Sequence, residues 1–347
     1  MAIDLTRLPG STYHILGLYP RGKDYKESIT NHCDSPWKVL TVDLEGNCFL
    51  CKCEAHLPLT VGNVLDFADL NEVWTNPTAQ DLQQTITDRS YTFCAVQHCG
   101  VVNQEVFHKV HYISINIDES CNLACPSCRR ELINHTSGER FEQKSKMVSH
   151  LVDLINKFDK PLHLTMSGNG DPLASLIMRP LVLNWQPKAN QTIKLFTNGL
   201  LMRKLLPDSP ILPYIKDFQI SVDAGTQEVY EQVRRPGKFS VLEDNLQWLE
   251  DNKPTNSTVL LMFCLSANNV NDIVNFANLC SKYGFRGEIT KVENWNTFDN
   301  FGEQDVMSNP DHPAYQTAVD QLKIVSEMPH IRVGSFLKNY YAFYKLS

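Results

Sequence analysis

Three cysteines, Cys121, Cys125 and Cys128, fall in the run Asp-Glu-Ser-Cys-Asn-Leu-Ala-Cys-Pro-Ser-Cys at 118–128. Thiolates this close on a loop can take three corners of a 4Fe-4S cubane and leave one iron open. An open coordination position marks a catalytic metal site. Two plainer readings stand beside this one: a zinc site completed by a fourth ligand such as His135, or three unrelated thiols. Six more cysteines, Cys33, Cys48, Cys51, Cys53, Cys94 and Cys99, lie upstream, so nine of the eleven precede Arg129 and only Cys264 and Cys280 stand apart. Eleven is too few for a disulfide scaffold in 347 residues, and in a reducing compartment clustered thiols read as metal ligands first.

The elements that must hold these residues follow from periodicity. From residue 111 onward, β-branched runs at 111–118, 162–167, 192–197, 218–223, 259–265 and 287–292 predict strands. Amphipathic stretches between them predict helices at 147–158, 173–185, 241–251, 270–283 and 314–327. Pro207, Pro210 and Pro213 keep the helix near 205–215 short. Regular strand–helix alternation implies an α/β fold with a parallel sheet, open or rolled, and six units fall short of the eight-unit barrel. In either form chemistry belongs at the C-terminal ends of the strands, which is where the three-cysteine loop falls. Before residue 108 the rhythm breaks. Strands at 38–43 and 48–51 reverse at Glu45-Gly46-Asn47, a helix follows near 69–85, and the whole reads as a separate small module.

Composition narrows the class. With 42% hydrophobic and 20% charged residues the chain is expected to be an ordinary globular protein, and its aromatic residues suffice for a sizeable core. The net charge of −7, without long runs of either sign, disfavours a dedicated nucleic-acid binder. The longest apolar stretch, near 259–267, is too short to span a bilayer, and Asp4 stands where a signal peptide would carry bases. A cytoplasmic protein without membrane association is the expectation.

The three-cysteine loop after a first strand resembles that of the radical S-adenosylmethionine superfamily, and further landmarks recur in order. Ser167-Gly168-Asn169-Gly170-Asp171-Pro172 resembles the family's Gly-Gly-Glu-Pro segment, in which the carboxylate binds the methionyl amine. Thr197-Asn198-Gly199 ends the third strand. Ser221-Val222-Asp223 ends the fourth, where a hydroxyl and a carboxylate two residues apart face one side and can bind a ribose diol. Tyr230-x3-Arg234 resembles an element whose Arg pairs with the methionyl carboxylate, and Glu293-Asn294-Trp295-Asn296 closes the sixth strand. The resemblance spans about 114–298 and implies a partial (β/α)6 TIM-type barrel. It makes Cys121, Cys125 and Cys128 the cluster ligands, and Gly168, Asn169, Gly170, Asp171, Thr197, Asn198, Ser221, Asp223 and Arg234 the S-adenosylmethionine contacts. Two positions depart from the pattern: Ser127 stands where an aromatic commonly lies near the adenine, and Asp171 is one methylene shorter than Glu.

Cys33-x12-Gly46-x4-Cys51 with Cys94-x4-Cys99 resembles the auxiliary-cluster module called a twitch domain, a relative of SPASM, here placed before the barrel. That resemblance makes Cys33, Cys51, Cys94 and Cys99 the ligands of a second iron–sulfur cluster, with Cys48 and Cys53 fitting less well; a structural zinc remains the alternative. The implied domains are 1–105 for this module, 106–300 for the barrel and 301–347 for a C-terminal helical extension. The implied activity is reductive cleavage of S-adenosylmethionine to a 5′-deoxyadenosyl radical, an oxidoreductase or transferase chemistry. That radical would abstract hydrogen from a peptide, protein, sugar or nucleotide, with an external electron donor such as flavodoxin or ferredoxin. Cys264, in the fifth strand, is a candidate donor of a hydrogen atom to a substrate radical, or simple core. The competing expectation from another class is a zinc-stabilised, non-catalytic scaffold.

Overall fold

The computed structural model describes residues 31–52, 57–94, 99, 101, 104–167 and 169–334. Ten strands form a mostly parallel sheet, the expected α/β class, and all six expected barrel strands are present within a few residues of their predicted bounds. By their contacts the described residues fall into two units. One is drawn from Met1–Glu119, Thr136–Asn169 and Trp185–Ile193, the other from Ser120–His135, Gly170–Asn184 and Lys194–Ser347.

In the first unit a short helix, α1 (Ser35–Lys38), leads into β1 (Val39–Val42), which pairs antiparallel with β2 (Asn47–Phe49). The reversal falls at the expected Glu45-Gly46-Asn47. Gly46 has φ +81°, the Asp43 carboxylate accepts the N–H groups of Glu45 and Asn47, and a Cβ on Gly46 would press on Asn63 and Met147. A third strand, β3 (Thr60–Asn63), extends the hairpin; its Gly-containing, half-buried sequence carries no alternation to announce it. The expected helix at 69–85 is two, α2 (Glu72–Thr75) and α3 (Pro77–Thr87). Asn76 caps the second, and Pro77 sits where a helix tolerates proline, at its first position.

Rather than standing apart, this segment joins the barrel strands: β1 pairs in parallel with β4 (His111–Ile115), Val39 opposite Tyr112 through Val42 opposite Ile115. The next helix, α4 (Glu139–Lys157), begins eight residues before the expected start because its first two turns are polar and show no apolar stripe. It leads to β5 (Leu162–Met166), parallel to β4. Lys144 of α4 is buried, and its Nζ donates to the carbonyls of Leu44 (2.8 Å) and Ile117 (2.5 Å), tying the hairpin turn to the segment after β4.

In the second unit the expected helix at 173–185 shrinks to α5 (Arg179–Leu183). The Asp171 carboxylate holds the N–H groups of Leu173 and Ala174 in a turn, and Pro180 again marks a helix start. There follow β6 (Gln191–Thr197), of which the part from Lys194 belongs to this unit, α6 (Met202–Leu205), β7 (Ile215–Ser221), α7 (Gln227–Val233), α8 (Phe239–Asn252), β8 (Thr258–Leu265), α9 (Ile273–Lys282), β9 (Arg286–Lys291) and α10 (Tyr315–Ser326). The tail expected to be only helical also supplies β10 (Ile331–Val333), parallel to β9. Along β8 burial alternates, with Val259, Leu261, Phe263 and Leu265 fully inside and Leu260, Met262 and Cys264 on the less buried face. Ser221 of β7, opposite Met262, lies on a half-buried position too.

Candidate active site and metal centres

The three-cysteine loop is held by main-chain bonds before any side chain acts. Cys121 N–H donates to the Ile133 carbonyl (2.8 Å), Ala124 N–H to that of Arg235 (2.7 Å), and the Cys125 carbonyl accepts from both Cys128 (2.9 Å) and Arg129 (3.0 Å). This turn brings the third cysteine back toward the second.

Each sulfur meets N–H donors. Cys121 Sγ accepts from Leu123 N–H (3.4 Å) and faces Asn198 Nδ2 (3.8 Å); Arg234 Nη1 lies 3.6 Å from Cys125 Sγ, and Arg129 Nη2 lies 3.6 Å from Cys128 Sγ. Donors converging on sulfur suit thiolates, the form that ligates metal. Burial pushes the Cys121 thiol up to about 11, with the Asp171 charge adding to it, and burial raises Cys125 against the pull of Arg234. A cluster binding here therefore displaces protons. Among the described residues no three His, Cys, Asp or Glu side chains stand as they would around one metal ion, so the ligand reading rests on spacing and on these sulfur environments.

Of the residues read as S-adenosylmethionine contacts, Asp171, Asn198 and Arg234 are brought to this loop, but two carboxylates are engaged otherwise than expected. Asp171 is buried. Its Oδ1 accepts from Leu173 N–H (2.9 Å) and Ala174 N–H (3.2 Å), its Oδ2 from Thr197 Oγ1 (2.9 Å) and Asn198 N–H (2.6 Å), and its own N–H donates to Ser120 O (2.9 Å). A carboxylate has about four acceptor positions, and the chain fills them all. As arranged, Asp171 is a strut joining the end of β6 to the cysteine loop instead of an open acceptor for an ammonium. Burial pushes its carboxyl above the usual range while those donors pull it back.

Asp223 departs in a similar way. Its backbone turns to φ +60°, so the alternation that would set it beside Ser221 is lost. Its Oδ2 pairs with Arg234 Nη2 at 2.6 Å, and its Oδ1 accepts Cys264 N–H at 2.7 Å. Arg234 thus bridges Asp223 and Cys125, with its Nε buried and lacking a hydrogen-bond partner. Asn198 does come to the cluster loop, donating to Asn122 Oδ1 (2.7 Å). Asn169 is exposed, Gly170 half-buried, and Gly168 lies outside the described residues. Asn269 was not anticipated: its amide donates to the carbonyls of Asp223 (3.0 Å) and Cys264 (2.9 Å), and nothing in its sequence context marks it. Burial holds Cys264 near 12, a neutral thiol donating to Lys291 O.

Upstream, Cys33, Cys51, Cys94 and Cys99 line one cavity, walled by Leu50, Leu57, Ile86, Tyr91 and Val101. Trp37 packs against the Cys33, Ile86, Tyr91 and Val101 cluster. Tyr91 OH anchors the cavity wall by donating to Asn31 O (2.5 Å). Four thiols, from the chain near 33, near 51 and at 94–99, around one apolar cavity fit a four-thiolate cluster. Cys48 is not among them, being fully buried in β2 with its thiol directed at Gly46 O; Cys53 lies outside the described residues.

Residues 33–100 match the family model of the SPASM iron–sulfur cluster-binding domain. The chain is 26% identical over 174 residues to mycofactocin maturase MftC of Mycobacterium tuberculosis, covering 50% of this chain and 42% of that one. It thus spans less than half the length of the curated relative it matches. Among solved structures it resembles SuiB of Streptococcus suis bound to precursor peptide SuiA (TM-score 0.43, 11% identity, 77% of this chain and 64% of that one). It also resembles a radical SAM methyltransferase of Sphaerobacter thermophilus (TM-score 0.40, 13% identity, 64% and 65%). The chain is thus similar to iron–sulfur proteins of the radical S-adenosylmethionine type. Its second metal module is SPASM-like, as the N-terminal cysteines suggest, and 4Fe-4S clusters with S-adenosylmethionine are the implied cofactors. No helix among the described residues is long and apolar enough to cross a membrane.

Proposed function

We propose that the chain is an enzyme that cleaves S-adenosylmethionine at a cluster held by Cys121, Cys125 and Cys128 and uses the resulting radical to modify a substrate. A peptide or protein is favoured over a sugar or nucleotide, because the curated relative is a maturase. When bound, the cluster supplies the electron that splits S-adenosylmethionine into methionine and a 5′-deoxyadenosyl radical. The chain's own residues do the rest. Asn198, Arg234 and Arg129 orient and screen the three sulfurs, and Asp171 and Asp223 hold Asn198 and Arg234 in place. Gly170 and Ser221, both half-buried, would then face the cofactor's methionyl and ribose parts.

The 33–105 segment, through Cys33, Cys51, Cys94 and Cys99, would hold a second cluster with no open iron, serving electron transfer or stapling the segment. An external flavodoxin or ferredoxin would supply electrons.

The observation that carries this reading is the convergence of donors from β6, the α7 end and the loop itself on three sulfurs. Anaerobically reconstituted protein with dithionite and S-adenosylmethionine should release 5′-deoxyadenosine, and Cys125→Ala should abolish it. Undiminished release from that variant refutes the reading, whereas stoichiometric zinc without iron in the wild type returns the scaffold alternative.

A further inference from the structure

Two buried donors one helical turn apart, the Tyr230 hydroxyl and Arg234 Nε, have no hydrogen-bond partner in the folded chain. Residues four apart lie on one face of a helix, and this face meets the cysteine loop. Arg234 Nη1 lies 3.6 Å from Cys125 Sγ, and the Arg235 carbonyl accepts Ala124 N–H at 2.7 Å. A Cβ on Gly237 would stand 3.2 Å from the Tyr230 ring and 3.3 Å from Leu123, so the absence of a side chain lets the ring and the loop draw together. Tyr230 itself is fully buried, its ring packed on Phe239 with centroids 5.5 Å apart.

The charged groups whose fields reach this phenol are Arg234, Cys125, Asp223 and Asp171, and the hydroxyl bonds none of them. Arg234 has no acceptor to offer. Asp223 gives Oδ2 to Arg234 and Oδ1 to Cys264 N–H, and Asp171 already takes four donors. A buried hydroxyl without a partner is costly, and such groups in folded proteins call for one. Its acceptor therefore comes with a bound group. Beside a loop of three thiolates, the sulfides of an iron–sulfur cluster are acceptors of the right kind: negatively charged and held next to Cys125.

We propose that the Tyr230 hydroxyl donates a hydrogen bond to a sulfide on the Cys125 side of the cluster held by Cys121, Cys125 and Cys128, and so raises its reduction potential. Reduction adds one electron, and with it one negative charge shared among irons and sulfurs. A hydrogen bond to sulfur favours that reduced form, and from a fully buried position its effect is little screened. This rests on the cluster assignment made above, and the test separates the two.

The measurement is an EPR-monitored titration of the full, reconstituted chain with dithionite as electron source. The open-site cluster is identified as the signal that later changes on adding S-adenosylmethionine. Tyr230→Phe removes the hydroxyl and keeps the ring against Phe239. Before S-adenosylmethionine is added, it should shift the reduced-to-oxidised ratio about tenfold toward oxidised at any fixed potential, a fall of about 59 mV for one electron. After exchange into D2O, deuterium ENDOR of the reduced cluster should show one exchangeable coupling that the variant lacks. Full iron with an unmoved potential overturns the proposal, and so does a lowered potential with every coupling retained, which is repacking alone. An unmoved potential with weakened S-adenosylmethionine binding gives the hydroxyl to the methionyl carboxylate, and overturns it equally. A wild type with no signal responsive to S-adenosylmethionine overturns the cluster reading instead. Should Tyr230→Phe lose its iron, 3-fluorotyrosine at position 230, a stronger phenol donor, decides: a raised potential supports the hydrogen bond, and any other result refutes it. Loss of iron from both makes Tyr230 a folding residue and ends the proposal.

Discussion

Replacing Asp171 by Asn separates a ligand from a strut. In the folded chain both carboxylate oxygens are saturated, Oδ1 by two backbone N–H groups and Oδ2 by the Thr197 hydroxyl and the Asn198 N–H. An amide of the same shape keeps one oxygen and turns an NH2 group toward the other pair of donors. Facing Thr197 and Asn198 is the cheaper choice, because the hydroxyl can rotate; the Asn198 N–H is still orphaned. Each buried donor left unpaired costs about 1–3 kcal/mol, and the bonds that survive lose their charge assistance, so the whole change should cost about 2–4 kcal/mol. For a unit of this size that lowers the melting temperature by about 5–15 °C. Thermal unfolding followed by circular dichroism on metal-free protein gives the number without reference to cofactor. Thr197→Val, which removes one neutral donor, should cost less. The reasoning fails if Asp171→Asn melts like the wild type and yet, once reconstituted, no longer binds S-adenosylmethionine. The carboxylate would then be a ligand, and the four donors would be an arrangement that binding undoes.

Two further expectations follow from the first unit. Burial against Trp74 and Phe158 holds His111 down to about 4. The unfolded chain therefore takes up a proton between about pH 6.5 and 4 that the folded chain refuses. Stability is full above that window and falls by up to about 3 kcal/mol on descending through it; His111→Phe should flatten the profile, and an unchanged slope in that variant would show that other groups govern it. In a chain carrying Ala at Cys121, Cys125 and Cys128, about four irons should remain. Cys51→Ala on that background should remove them, whereas Cys48→Ala should keep the iron and lower stability by about 1 kcal/mol for the lost core thiol. Iron retained without Cys51 would move the ligand elsewhere.

The legible parts of this chain are those where one physical signal dominates. Six parallel strands announce themselves because each is a run of β-branched and apolar residues covered on one face, as the alternating burial of β4, β5 and β8 shows. The reversal at Gly46 is legible because only a residue tolerating φ +81° fits it. What the pattern hides are elements built from mixed or polar residues. β3 and β10 are too short for periodicity, and the first two turns of α4 are polar, the buried Lys144 included. The apolar residues of 173–185 mimic a helix, although Asp171 and Pro180 dictate turns. The union of the hairpin with the barrel through β1 and β4 is a long-range pairing, which no local signal carries.

At the site, residue type was legible and residue partnership was not. The sequence shows that Asp171 and Asp223 are carboxylates near a loop of thiols; it cannot show that each is already spoken for. That distinction gives the shorter side chain at 171 a physical reason. With Asp, the carboxylate stays close to its own backbone and within reach of the N–H groups two and three residues on, the geometry of a capped turn. A Glu would carry its oxygens one bond further, past Leu173 and Ala174 and toward whatever lies beyond. The missing methylene thus converts a reaching group into a bracing one. Charge recognition of a methionyl end would then fall to groups other than Asp171.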